Sequence, residues 1–389
     1  MNRKKTICVI TGGRADYDLL KPIIKKMQIS KNFNVKVAAT GSHFIKDQNT
    51  FKQIEKDKIK INYKIKIKYK KDSNKDILKF FSDGINCFKN LFENENFDAI
   101  LVLGDRYEIF SAVLSAGFYR IPIIHLSGGE VTEGAIDESI RHSITKFSSF
   151  HFVSNIKYKN RIKQLGENPK FIFNVGSTGA ENIVQNNLYS KKEIEKRLNL
   201  KFKNENYLVT FHPVTLKQDY GISDFKILLK YLSKKKNSLI IFTLPNSDAD
   251  NFKITKLIKK FIQDHKHSKC YSSLGQKKYF STVKNINAVI GNSSSGLSEV
   301  PSFKKPTINI GTRQDGRIFA KSIIDVKKVN IKNLQNAFNK IKSKKFKKML
   351  IKVKNPYSQL NTADKILSIL KKHNFKKTSF KKFFDLKNI

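Results

Sequence analysis

Tryptophan is absent from this 389-residue chain, and cysteine and methionine occur only three times each. Cys8, Cys87 and Cys270 form no CxxC pair and no Cys/His pair at metal-ligand spacing, which excludes a disulfide framework or a zinc ribbon. An odd number of thiols in unrelated surroundings reads as buried cysteines in a reducing compartment. Long apolar runs are also lacking. The run in MNRKKTICVITGG stops after a few positions, too short for a signal-peptide core, and no later stretch reaches transmembrane length. A soluble, cytoplasmic protein with no membrane partner is expected. Acidic residues are scarce, with 32 Asp plus Glu against 76 Lys plus Arg, a formal net charge of +44. Such a charge invites a nucleic-acid reading, yet no zinc-finger, RNA-recognition or helix-turn-helix signature accompanies it. Abundant Lys, Ile, Asn and Phe with no Trp is the profile of an AT-rich coding sequence, so the charge reads as a solvated lysine coat and no nucleic-acid partner is expected.

What is present is a repeated alternation. A 39% hydrophobic content suffices for two cores in a chain of this length. TICVIT (6–11) has strand length, and Leu20, Ile23, Ile24 and Met27 then share a helical face before NVKVAAT (34–40). DAILVLG, IPIIHL, FHFVS and FIFNVG continue the series. After a polar, helix-like stretch near 180–205 it restarts with YLVTF (207–211), LIIFT (239–243), NAVIG (287–291) and PTINIG (306–311). Strands alternating with helices predict parallel sheets covered on both faces. The pattern gives two doubly wound, Rossmann-like α/β domains, over 1–180 and 205–365, with 366–389 as a basic tail or helix. In 58–71, KIKINYKIKIKYKK, the apolar side chains Ile59, Ile61, Tyr63, Ile65 and Ile67 alternate with mostly lysines, as in a charged edge strand or hairpin.

Ligands of open parallel sheets bind beyond the carboxyl ends of strands, and polar clusters fall there. The first strand runs into Gly12, Gly13, Arg14 and Asp16, which is neither GxGxxG nor GxxxxGK[ST]; neither a nicotinamide cofactor nor ATP is indicated. Arg14 suits an anion clamp, while a plainer reading pairs it with Asp16. AILVLG delivers Asp105, Arg106 and Glu108. IPIIHL leads to His125, Ser127, Glu130, Glu133, Asp137, Glu138, Arg141 and His142. Carboxylates, arginines and histidines around a glycine pair suit acid–base work beside a charged leaving group. Asp137, Glu138 and Arg141 could instead cap and pair along the first turns of a helix, a reading that fits Glu138 and Arg141 equally well. In the second half YLVTF ends in His212, LIIFT leads to Asn246, and NAVIG runs into Asn292, Ser293, Ser294, Ser295 and Glu299. Those serines could offer donors to a diphosphate or simply cap a helix. PTINIG leads to Arg313 and Arg317.

Taken in order, TGGRADYDLLKP, LVLGDRYE, GGEVTEGAIDESIRHSITK, FHPVT, GNSSSGLSEVPSF and INIGTRQDGR resemble the hydrolysing UDP-N-acetylglucosamine 2-epimerases of sialic-acid synthesis, from about residue 5 to about 320. The resemblance implies a GT-B fold around a nucleotide-sugar cleft and elimination of UDP across C1 and C2. Hydration of the resulting 2-acetamidoglucal then gives N-acetylmannosamine, with no cofactor and no metal. It implies that Arg14, Arg106, His212, Asn246, Ser293, Ser294, Glu299 and Arg313 contact the nucleotide sugar, and that Asp105, Asp137, Glu130 and His212 serve catalysis. A homodimer fits the family, and a positive field would help draw in the diphosphate. Two positions depart from the pattern. Some members carry a glutamate before the glycine pair, where Ser127 stands, so Glu130 or Asp137 would act in its place; Asp18 stands where a hydroxyl contact is expected. The same reaction on UDP-2,4-diacetamido-2,4,6-trideoxyglucose is a neighbouring reading. A GT-B glycosyltransferase and a non-catalytic nucleotide-sugar binder are readings of other classes.

Overall fold

The apolar runs become two all-parallel sheets in the computed structural model, which describes residues 3–45, 50–68, 74–133, 136–185, 187–214, 217–245, 251–375 and 381–386. The first sheet holds β1 (Lys5–Thr11), β2 (Phe33–Ala39), β3 (Tyr63–Lys64), β4 (Ala99–Leu103), β5 (Ile123–Leu126), β6 (Phe150–Val153) and β7 (Ile172–Asn174), in the order β3-β2-β1-β4-β5-β6-β7. The second holds β8 (Glu205–Thr210), β9 (Ser238–Thr243), β10 (Ser268–Tyr271), β11 (Ala288–Gly291), β12 (Thr307–Ile310) and β13 (Ile323–Val326), in the order β10-β9-β8-β11-β12-β13. Successive side chains of a strand enter opposite faces, and both faces are dry here. In β1, Ile7 and Val9 join the core formed with Leu20, Ile23, Ile24 and Met27 of helix Arg14–Ile29. Cys8 and Ile10 join the opposite core, with Phe88 and Val113. The second sheet repeats this, with Val209 and Phe242 on one side and Leu208 and Ile241 on the other. Each sheet is therefore doubly wound.

The lysine-flanked segment keeps its alternation: Ile59 is buried, Ile61, Tyr63, Ile65 and Ile67 are half-buried, and Lys60, Lys64, Lys66 and Lys68 are exposed. Tyr63–Lys64 pairs along β2 at the sheet edge, as expected of an edge strand, with the N–H groups of Asn62 and Ile65 donating to the Val37 and Ala39 carbonyls at 2.9 Å each. Residues 69–71 of that run lie outside the described residues.

The division into units differs from the linear one. One unit comprises Met1–Glu130, Asp137–Asn182 and Gln359–Ile389, and the other Val131–Ile136 and Ile183–Ser358. Residues 359–365 group with the first unit rather than the second, and helix Thr362–Lys372 runs into the segment read as a tail or helix. Ala363, Ile366 and Leu370 of helix Thr362–Lys372 join the core of the first unit beside helix Arg14–Ile29. Glu181 accepts from the N–H of Ala363 at 3.0 Å at one end of this helix, and Lys5 Nζ donates to the carbonyl of Leu370 at 2.9 Å at the other. The abundance of lysine there conceals the amphipathic spacing. Further on, Lys381 Nζ reaches the buried Glu167 at 2.6 Å.

Candidate functional site

In each sheet the strand order reverses at one place, between β1 and β4 and between β8 and β11, and the polar clusters follow the strands at and next to these switch points, where open parallel sheets bind ligands. After β1, the carboxylate of Asp16 accepts from the N–H of Gly12 and of Gly13, each at 2.8 Å. The amides that could have cradled an anion are thus satisfied within the chain. A Cβ on Gly12 would lie 2.5 Å from Glu108 Cγ, which explains the glycine. Asp16 is buried, and that burial, with Glu108 nearby, pushes its carboxyl up to about 6. Arg14 does not pair with Asp16. Its guanidinium faces Asp18 at 3.6 Å, one helical turn on. Burial raises Asp18 to about 6 as well, outweighing Arg14 and Lys21.

After β4, Arg106 lies over the Tyr107 ring and donates to Glu108 Oε1 at 3.3 Å. Asp105 is held by Arg141, which comes from helix Asp137–Phe147 and is itself buried. The same guanidinium donates to the main-chain carbonyl of Glu130 at 2.8 Å. One side chain therefore fixes two of the expected carboxylates, through the side chain of one and the backbone of the other. Glu130 Oε1 accepts from Ser154 Oγ at 3.0 Å, just beyond β6. Asp137 opens its helix, half-buried, and Glu138 faces His142 at 3.6 Å. Helical pairing thus holds for Glu138, while Arg141 turns inward.

His125 is buried and hydrogen-bonded at both ring nitrogens. Its Nε2–H donates to the carbonyl of Gly104 at 2.8 Å and Thr145 Oγ1 donates to its Nδ1 at 3.2 Å, a tautomer set by the carbonyl, which can only accept. Burial holds its pKa down, to about 3, so it is a neutral prop beneath the Gly104 turn. Gly129 has φ of +72°, and a Cβ there would lie 2.6 Å from the Tyr158 carbonyl, so this tight loop requires glycine.

In the second unit, Asn292 after β11 grips the backbone of His212 after β8. Its Oδ1 accepts from the His212 N–H at 2.7 Å and its Nδ2 donates to the His212 carbonyl at 2.8 Å. The Asn292 carbonyl accepts from Gln314 at 2.7 Å and from Arg313 at 3.3 Å. No side chain caps helix Ser295–Ser298. Ser295 Oγ lies 2.6 Å from Tyr279 Oη and 3.3 Å from Ser293 Oγ. Burial, with Glu299 close by, raises the Tyr279 phenol, keeping it a donor. Ser294 immediately precedes this helix and Glu299 comes directly after it, half-buried. Arg317 donates to the Val131 carbonyl at 2.9 Å and to Thr132 Oγ1 at 3.1 Å. Asn246 lies outside the described residues, as does Thr215.

Asp105 and Glu130 thus meet at Arg141 in the first unit, with Arg106 on Glu108 and Asp137 at the start of the helix that carries Arg141; in the second, His212 and Arg313 gather at Asn292, which Ser293 and Ser294 follow in sequence. Sequence reasoning overlooked Ser154, Tyr279 and Gln314. Ser154 was findable from its place directly after a strand and Gln314 from its place beside Arg313, whereas Tyr279 sits within a lysine-rich helix and gave no signal. Among the described residues, no group of three His, Cys, Asp or Glu is arranged to hold a metal ion, and no helix is long and apolar enough to cross a membrane.

Two doubly wound parallel sheets with polar clusters at both switch points define a GT-B-type α/β protein. The same fold occurs in the UDP-GlcNAc 2-epimerase of Neisseria meningitidis bound to UDP-GlcNAc, with a TM-score of 0.81 at 18% identity, over 95% of this chain and 100% of that one. The model of the UDP-N-acetylglucosamine 2-epimerase family matches residues 25–371, and the chain belongs to that family of enzymes. It is 41% identical to the GDP/UDP-N,N'-diacetylbacillosamine 2-epimerase (hydrolyzing) of Campylobacter jejuni, over 98% of this chain and 100% of that protein. It is 37% identical to the polysialic acid biosynthesis protein P7 of Escherichia coli, over 98% of each.

Proposed function

We propose that this enzyme is a hydrolysing 2-epimerase that releases a nucleoside diphosphate from a nucleotide-linked 2-acetamido sugar. A base removes the proton at C2 while the bond from C1 to the diphosphate oxygen breaks, leaving a 2-acetamidoglucal. Water then adds its oxygen to C1 and a proton returns to C2 from the other face, giving the manno-configured sugar. The C2 proton is not acidified by a neighbouring ring carbonyl, so its removal needs a base held in place and a stabilised leaving group. The observation that carries this reading is the buried Arg141 fixing both Asp105 and the Glu130 backbone. Asp105, Glu130 and Asp137 share the proton transfers, with His212 as acid or diphosphate anchor. Arg14, Arg106, Asn246, Ser293, Ser294, Glu299 and Arg313 hold the nucleotide sugar.

Its preferred sugar is the 2,4-diacetamido-2,4,6-trideoxy one, ahead of the N-acetylglucosamine expected from motifs alone, because the Campylobacter relative at 41% identity is named for diacetylbacillosamine. The E. coli relative at 37%, named for polysialic acid biosynthesis, supports a role in sialic-acid synthesis, and N-acetylglucosamine, the sugar expected from the motifs, is the second reading. The test is NMR in deuterated water with each sugar, linked to UDP and to GDP. Free diphosphate with deuterium at C2 of a manno product is expected, fastest for the diacetamido sugar. Diphosphate release with C2 hydrogen retained and gluco configuration kept would reject the mechanism. Faster turnover of N-acetylglucosamine would reverse the order of substrates.

A further inference from the structure

Glu108 carries no step of the reaction, yet three segments of the first unit close on it. It is the second residue of helix Tyr107–Phe118 and is 2% exposed. A Cβ on Gly12 would lie 2.5 Å from its Cγ, and one on Gly41 would lie 3.0 Å from the same atom. The loops that follow β1 and β2 are thus both bare where this side chain passes between them. Beside it the Ser42 N–H donates to the Gly12 carbonyl at 2.7 Å, which ties those loops together.

A seat of this kind would suit an apolar side chain better than a carboxylate. Oε1 accepts from Arg106 Nε at 3.3 Å, but Oε2 is buried with no hydrogen-bond partner. Asp16 stands close enough for the two carboxylates to repel. Enclosing a carboxylate under these conditions is unfavourable, and the dipole of the helix whose first turn it occupies offsets only part of that.

Arg106, its neighbour, is fixed in two directions. The guanidinium lies over the Tyr107 ring at 5.0 Å, and that ring meets the buried Phe80 edge-on at 5.6 Å, so the plane of the group is set. Glu108 takes the Nε edge, which sets the rotation within that plane. An arginine held in this way has already lost on folding the side-chain freedom that clamping an anion would otherwise cost.

We propose that Glu108 is a positioning residue that aims Arg106 at the diphosphate of the nucleotide sugar, an inference resting on the nucleotide-sugar reading above. Glu108 itself touches no reacting atom.

Calorimetry of UDP binding to the full chain, as a double-mutant cycle over Arg106 and Glu108, tests this. Glu108→Met should weaken UDP binding roughly tenfold, as expected when a charge-assisted contact is left misaligned, and by less than about twofold in an Arg106→Met background. Glu108→Gln keeps an acceptor for Nε without the charge, and its affinity should fall between wild type and Glu108→Met. Arg106→Met strands the Glu108 carboxylate and should lower the melting temperature, which adding Glu108→Met should restore. If Glu108→Met does not fold, Glu108→Gln serves in the cycle, and its loss of affinity should likewise vanish when Arg106 is absent. A residue that only supports its helix would weaken UDP binding equally in both backgrounds, or not at all, and either result would overturn the proposal. A folded wild type that binds neither UDP nor GDP would instead reject the nucleotide-sugar reading, and with it the anion assigned to Arg106.

Discussion

Arg141 and Asp105 are 36 positions apart in sequence, yet the guanidinium of one is buried against the carboxylate of the other and also holds the Glu130 carbonyl. A planar guanidinium can make both contacts at once, and a lysine ammonium in its place would lose the fixed geometry.

Asp105→Asn should lower turnover roughly 10²- to 10⁴-fold. UDP affinity, read by calorimetry, should change little. Turnover at the wild-type rate would remove Asp105 from the reaction.

Arg141→Met leaves a partly buried carboxylate without its cation and should cost about 3 kcal/mol in urea unfolding. Adding Asp105→Asn should recover part of that loss, because no charge is then stranded. Additive losses would mean that the pair is not coupled.

Asn292→Ala should destabilise the protein by about 2 kcal/mol, because the His212 N–H and carbonyl both lose their partner. Asn292→Asp keeps the acceptor for the N–H but not the donor to the carbonyl, and should bind UDP between the wild type and the alanine variant. Equal UDP affinity in all three would show that His212 needs no such grip.

Stability should fall as pH drops through about 6.5. His43, buried between Thr11 at 3.0 Å and Thr50 at 2.8 Å, has its pKa lowered by burial from 6.5 to about 4, and His125 is lowered to about 3. The unfolded chain takes up these protons first, so acid favours unfolding. Asp16 and Asp18, raised from 3.8 to about 6, act the other way, because below about 6 the folded chain binds more protons at them. The steepest loss therefore lies near pH 6.5, with flattening below 6. Denaturant titrations at several pH values check this, and a flat profile between about pH 7 and 6 would refute it.

Glu167 accepts from Lys146 at 2.7 Å and Lys381 at 2.6 Å and lies 3.2 Å from His151, and its pKa is depressed from 4.5 to about 2 despite burial. A depressed carboxyl stabilises the fold above its unfolded pKa, and that contribution disappears as pH falls toward about 2. Glu167→Gln should therefore cost up to about 3 kcal/mol at neutral pH, with the gap from wild type closing below about 4. A gap independent of pH would indicate a packing defect instead.

The central strands were legible because TICVIT or LIIFT is apolar on both faces. β10 and β13 were not: each has four residues, lies at a sheet edge, and exposes Lys269 or Asp325. An edge strand needs no unbroken apolar run. Loop residues were legible by position after strands, which located Asp105, His212 and Asn292. Their partners were not, since helical spacing offers Arg141 an acid of its own helix and the segment's fold offers it Asp105. Asp16 likewise stood as a mate for Arg14 until its carboxylate proved to be satisfied by two amides.

The return of helix Thr362–Lys372 to the first unit sets an order of events during synthesis. A ribosome emits the whole of the second unit before it emits helix Thr362–Lys372, which fills the core beside β1. The half of the molecule that is begun first is thus finished last, and the later-encoded half has all its strands in hand while its elder still waits for a missing helix.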